Sequence, residues 1–199
     1  MNTTRVLQIL GIASALAAAQ AAAEPVTYRV DPRHTFPAFE ADHQGGLSVW
    51  RGKIERSSGT IVLDREARTG TVEMVMDMDS INFGLDEMTD HAKAEDILDV
   101  ARFPTATYTG AFSEFGRTGV PAAVEGELTL HGITRPLRLQ INHFQCQPHH
   151  RTGIEICGAD ATATFNRDDF DVSYGKENGF FMYVNLLLTV EAERVDPES

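Results

Sequence analysis

From Val26 onward the chain alternates apolar and polar positions with a period of two, the signature of half-buried β-strands. Residues 34–53, HTFPAFEADHQGGLSVWRGK, read as two strands about a Gly-Gly turn, with Trp50 near the end of the second. A short strand, Gly59 to Leu63, comes next. Between Thr71 and Ser80, Val72, Met74, Met76 and Met78 share one face, while Glu73, Asp77 and Asp79 share the other with Val75. Three methionines on one face suit ordinary core, or the lining of a pocket that adapts to irregular guests. After Pro104 come Thr105 to Phe112, then Val124, Gly126, Leu128 and Leu130 in alternation with Glu125, Glu127, Thr129 and His131. Beyond the turn at 132–136, Leu137, Leu139 and Ile141 alternate with Arg138, Gln140 and Asn142. The partner strand runs from Ile154 to Phe165, and the last strand sets Val184, Leu186, Leu188, Val190 and Ala192 on one side.

One interval has helical spacing. Asp86 to Leu98 places Met88, Ala92 and Glu95 on one side, carries acid at its start as the helix dipole favours, and closes on Ile97 and Leu98. Eight to ten strands with strict alternation and a single helix predict an all-β, antiparallel architecture with one buried and one wet face. Closure into an up-and-down barrel removes exposed edges, and at about eight strands the interior holds one ligand or is filled by side chains. Pattern alone is equally satisfied by a sandwich.

The first 23 residues change the compartment. Arg5 is their only charge, an apolar run extends from Val6 to Ala19, and Ala21-Ala22-Ala23 precedes Glu24, which predicts a secretory signal peptide cleaved after Ala23 and a mature domain of residues 24–199. No later stretch is long enough to span a membrane as a helix. Losing Arg5 takes the formal charge from −12 to −13, a surface that repels nucleic acid. The only cysteines, Cys146 and Cys157, fall opposite each other if a hairpin turns about Arg151 and Thr152, and export into an oxidising compartment predicts a structural disulfide. The last residues, Asp196 to Ser199, read as a frayed tail.

Candidate chemistry is sparse. None of the seven histidines pairs at zincin, zinc-finger or i, i+4 spacing, so no metal site is predicted, and His149-His150 reads as a solvated turn. The Asp168-Asp169-Phe170-Asp171 run lacks the Gly and closing Glu of a calcium loop. No serine or cysteine stands in a recognisable nucleophile setting, and no catalytic residue is assigned.

Several motifs taken in order resemble the YceI-like family of periplasmic polyisoprenoid-binding proteins. They are Tyr28-x-x-Asp31-x-x-His34 with Phe39 and His43, Gly52 in WRGK, Ser80-Ile81, His91, FPTATY at 103–108, GELTLHGITRP at 126–136 and CGADATATFNRDDF at 157–170. The resemblance covers residues 26 to 193. It departs at Met88-Thr89, where many members carry Arg-Asp, at Ala92, where many have Leu, and at Asp171, often Gly.

The resemblance implies an eight-stranded lipocalin-like barrel whose helix covers one end and whose tunnel holds an isoprenoid quinone, a polyprenyl phosphate or a similar amphiphile, with no other cofactor and no catalysis. The expected lining is Phe39, Val72, Met74, Met76, Met78 and Tyr108, continued by Leu128, Leu130, Leu139, Leu186 and Leu188; the polar end is expected near His43, Trp50, Ser80 and His91. Two other readings stand beside the periplasmic carrier: a lipid- or quinone-modifying enzyme using a tunnel histidine, and a protein-binding barrel with a filled core and an acidic contact face. A homodimer is compatible with each.

Overall fold

The computed structural model describes residues 24–195; the expected signal peptide and the tail beyond Val195 lie outside the described residues. Eleven strands form one antiparallel sheet: β1 Val26–Val30, β2 Phe36–His43, β3 Ser48–Ile54, β4 Ser57–Asp64, β5 Thr69–Asp77, β6 Ile81–Asn82, β7 Thr105–Phe115, β8 Pro121–Leu130, β9 Ile133–Pro148, β10 Glu155–Asn166 and β11 Tyr183–Arg194. Their order is β1-β4-β5-β7-β8-β9-β10-β11, with β1 pairing back to β11 to close a barrel.

Three of the eight staves are broken in two. β1 and β2 both pair with β11, Val30 facing Ala192 and Phe36 facing Thr189, so three extra residues bulge out between them. β3 and β4 are the halves of the next stave, and β5 and β6 of the one after. The breaks lie side by side, forming a crease across the wall. Backbone groups freed there need partners. The Thr35 hydroxyl accepts from Glu191 N at 3.1 Å and donates to Glu191 O at 3.2 Å; Ser57 donates to Thr35 O at 3.3 Å. Ser80 accepts from Arg56 N at 2.8 Å and donates to Asp77 O at 2.7 Å. All three hydroxyl residues are buried. Beyond the crease the sheet ends on β6, only two residues long.

Two bulges keep apolar residues facing inward. In β9 the register moves between Ile141 and His143, so the inward set Leu137, Leu139, Ile141 continues as Phe144 and Cys146. In β7 a similar irregularity after Phe112 brings Phe115 inward.

The helix is shorter than the periodicity predicts: α1 spans Asp86–Lys93, and Ala94 leaves in an extended conformation. A continued helix would set Glu95 on the apolar side below Ala92. The turn after Lys93 exposes Glu95 instead and swings Ile97 and Leu98 against the core.

Strand directions put the turns after β4, β7 and β9 at one end, the base, and the β2–β3 turn, α1 and the β10–β11 connection at the other, the mouth. At the base, Cys146 and Cys157 face each other in register and are bonded, with Cα atoms 4.0 Å apart. Tyr28, 2% exposed, donates to Glu155 Oε1 at 2.5 Å, and Arg65 reaches the other carboxylate oxygen at 3.3 Å. Burial, reinforced by the Glu155 carboxylate, pushes the Tyr28 phenol up to about 12.

Replacing both cysteines with alanine is expected to lower stability by about 2–3 kcal/mol, read as an earlier urea midpoint. The Tyr28 phenol gives a second prediction. Above pH 10 the unfolded chain ionises while the folded phenol keeps its proton, so the stability advantage of wild type over Tyr28→Phe is present below pH 10 and shrinks by about 2 kcal/mol as pH approaches 12. Urea titrations of both proteins across that window check it.

Candidate ligand-binding cavity

The barrel is hollow. Its interior holds a cavity of about 520 Å³, inside the 300–1,000 Å³ range of small-molecule sites. Inward residues at its waist, among them Met76, Leu139, Ile141 and Leu186, are only half-buried although the sheet closes round them, because they face this lumen. Small side chains create the space. The inner face of β10 presents Ala159 and Ala161 where bulky residues would fill a barrel of this size. A core filled by its own side chains, the alternative raised from the sequence for a protein-binding barrel, does not form for that reason.

Glycines shape the wall. A Cβ at Gly52 would lie 2.5 Å from the Phe39 ring directly opposite it, and one at Gly126 would lie 2.5 Å from the Tyr108 hydroxyl oxygen. Phe39 and Tyr108 therefore lie flat along the wall rather than across the lumen. The Tyr108 hydroxyl donates to Leu137 O at 3.0 Å, so its polar end is turned into the wall. Burial raises its pKa well above that of a free phenol.

Of the residues predicted from the sequence, Phe39, Val72, Met74, Met76, Met78 and Tyr108 line the cavity, as do Leu128, Leu130, Leu139, Leu186 and Leu188. His43, Trp50 and His91 line it at the mouth. Ser80 does not join them: its hydroxyl is engaged on both sides in the crease. The sequence motif containing it reports a stitch in the wall and not a polar contact for a ligand.

The polar groups of the lumen gather at the mouth. His43 lies over Trp50 with ring centroids 4.5 Å apart and meets the edge of Phe180 at 5.8 Å. His91 stands edge-on to Tyr174 at 5.0 Å, with Nε2 3.4 Å from Asp96 Oδ2. Asp42 is buried beneath them. Burial alone would raise its pKa, but the backbone N–H groups of Phe181, Gly46 and Gly45 donate to its carboxylate and hold it below the usual range. Its oxygens thus fasten the β2–β3 turn to the β10–β11 connection.

Arg167 is the mouth residue that sequence reasoning passed over. Its guanidinium donates to Val172 O at 2.8 Å and Tyr174 O at 2.7 Å, and among the described residues no carboxylate lies within ion-pair distance. Burial lowers its pKa, with Asp168 and Asp42 opposing, yet a guanidinium stays charged at neutral pH. Two of its five N–H donors are thereby engaged, leaving donors for an acceptor on the cavity side. Its motif stood in the sequence, but nothing in RDDF told a solvated arginine from one facing a cavity. Among the described residues no three His, Cys, Asp or Glu side chains converge as a metal site requires.

The class of protein that this fold and cavity define is a closed eight-stranded antiparallel barrel with an apolar lumen and polar side chains at one mouth. The YceI-like domain model matches residues 28–193, and the chain belongs to that family. Among its relatives are UPF0312 proteins of Pseudomonas aeruginosa strain LESB58, 28% identical over 96% of this chain and 98% of the relative, and of Pseudomonas syringae pv. tomato, 28% identical over 79% and 81%. Solved structures share the fold. A polyisoprenoid binding domain from Saccharophagus degradans superposes with a TM-score of 0.62 at 15% identity, covering 85% of this chain and 99% of that one. Burkholderia cenocepacia BcnA gives 0.62 at 19% identity over 81% and 98%, and the Campylobacter jejuni YCEI protein 0.63 at 18% over 75% and 88%.

Arg167→Met is expected to strand the Val172 and Tyr174 carbonyls and to cost about 1–3 kcal/mol of stability. Urea unfolding of the variant beside wild type measures this.

Proposed function

We propose that this chain is a periplasmic carrier or store for an isoprenoid-type amphiphile, an isoprenoid quinone or a polyprenyl phosphate, held in the barrel without chemistry. The observation that carries the reading is a hollow apolar lumen with polar side chains only at its mouth. Each buried methylene contributes about 0.8 kcal/mol, so an extended chain binds tightly with few polar contacts. The head group rests at the mouth, where Arg167, His43 and His91 face it. Arg167 can only donate, so it suits a head made of acceptors, such as quinone carbonyls or phosphate oxygens. The name of the Saccharophagus relative supports the ligand class. The expected leader peptide and the disulfide support an exported site of action.

The test is native mass spectrometry of mature protein purified from a periplasm, with mass analysis of its organic extract. A stoichiometric prenyl lipid is expected, and the same spectrum reads whether one or two chains associate. Ala161→Phe narrows the waist of the lumen and is expected to lower quinone affinity by tenfold or more while the fold survives. Protein that carries no lipid and takes up neither quinone nor prenyl phosphate on titration would end the carrier reading.

A further inference from the structure

Six of the eleven exposed large apolar side chains among the described residues gather at the mouth, while Phe36, Val75, Val120, Ile154 and Leu187 are spread singly over the outer wall and the base. Leu47, at 72% exposure, lies in the β2–β3 turn; Leu85, at 53%, precedes α1; Phe181, at 46%, and Tyr174, at 43%, sit in the β10–β11 connection. Val49 and Tyr183, also exposed, stand at the mouth ends of β3 and β11. Phe181 is held rather than loose: it stacks on Tyr183 at 6.0 Å, and Gly46 leaves room for its ring, where a Cβ would approach to 3.2 Å. Each part of this rim continues directly into the lumen, since Phe83, Phe180 and Gln44 line the cavity beside Leu85, Phe181 and the turn bearing Leu47, and Tyr174 belongs to both surfaces.

We propose that the mouth docks on the surface of a bilayer of neutral or zwitterionic lipid, so that a guest passes between membrane and lumen without crossing water. The inference rests on the carrier reading, and continuity of the rim with the cavity selects the occupant. A chain resident in a bilayer meets an unbroken apolar path only if the rim seats among the lipids, and aromatic side chains with a polar tip favour that interfacial depth. Charge selects the lipid. Asp86, Glu87 and Asp90 of α1 flank the rim and, among the described residues, form no ion pair, whereas, of the nearby cations, Lys93 and Lys176 pair with Asp79 and Asp168, and the unpaired Arg167 is half-buried and faces the lumen. Anionic head groups are therefore repelled. The same acids set like charge against like charge if two copies meet mouth to mouth.

The test uses the mature, disulfide-bonded protein and a triple variant, Leu47→Ser, Leu85→Ser and Phe181→Ser. None of the three lines the cavity, and serine at 85 is a favoured helix N-cap, so the fold is preserved. Phosphatidylcholine vesicles, with and without an isoprenoid quinone, are sedimented with each protein. Wild type is expected to co-sediment and to extract quinone, the variant to bind vesicles about tenfold or more weakly, and vesicles with one third phosphatidylglycerol to bind wild type less at low salt. Both proteins are expected to take up quinone dispersed from ethanol equally well. Wild type that loads dispersed quinone but neither binds nor extracts from vesicles overturns the docking proposal and leaves the carrier reading intact. Wild type that binds vesicles yet loads no quinone from either source supports docking and sinks the carrier reading. Equal loss of dispersed-quinone uptake in the variant, or a wild-type dimer that the variant dissolves, overturns docking.

Discussion

Three buried hydroxyls carry the constraint on which the barrel depends. A sheet that closes at its base and splays at its mouth must be broken on adjacent staves, and each break frees backbone groups that water cannot reach. Thr35, Ser57 and Ser80 satisfy those groups in a line across the wall. They stitch the crease where β2, β3 and β6 diverge from β1, β4 and β5, and no buried side-chain nitrogen or oxygen among the described residues lacks a partner. The divergence is what gives the mouth room for a short helix, two histidines and an arginine.

Below the crease the chemistry is one of subtraction. The lumen exists because the inner face of β10 carries alanines and because glycines at 52 and 126 let Phe39 and Tyr108 lie flat against the wall. Polar atoms that reach the lumen wall below the mouth are turned away from it: the Tyr108 hydroxyl into a carbonyl, and the Tyr28 hydroxyl onto Glu155. What remains is a surface that offers a guest dispersion and dehydration along its length and hydrogen bonds at one end only. Such a surface selects by shape and chain more than by functional group.

Much of this was legible in the sequence, and the limits follow from geometry. Alternation assigned the inward faces of β5, β8 and β11 because period two is strict where a strand is straight. It failed past Ile141, where a bulge brings Phe144 inward and no residue announces the extra position. The helix was overextended because Glu95 fits the helical spacing, while the gain from burying Ile97 and Leu98 is a tertiary effect invisible to a local window. The cysteine pairing followed from symmetry about 151 and 152 and is found. Ser80 was expected at the polar end and is found hydrogen-bonded in the crease, while Arg167 drew no assignment and is found lining the mouth: whether a polar side chain is consumed by the backbone or left facing a cavity depends on contacts made between distant segments. The alternating alanines of ATAT at 161–164 were the readable sign of a hollow interior, since an inward stave without bulk cannot fill a barrel.

The short strand β6 has a consequence for how this protein behaves at high concentration. A chain made almost entirely of strands offers neighbouring copies a template wherever a long edge is left unpaired. Here the sheet terminates in Ile81–Asn82, too brief to recruit an incoming strand, with Gly84 in a left-handed turn and an acidic helix immediately after it. β6 itself thus gives amyloid-like stacking no ledge to begin on, and the edge that the splaying does leave open is the mouth half of β3, residues 48–52, which pairs with β2 on one side and which β6 does not reach.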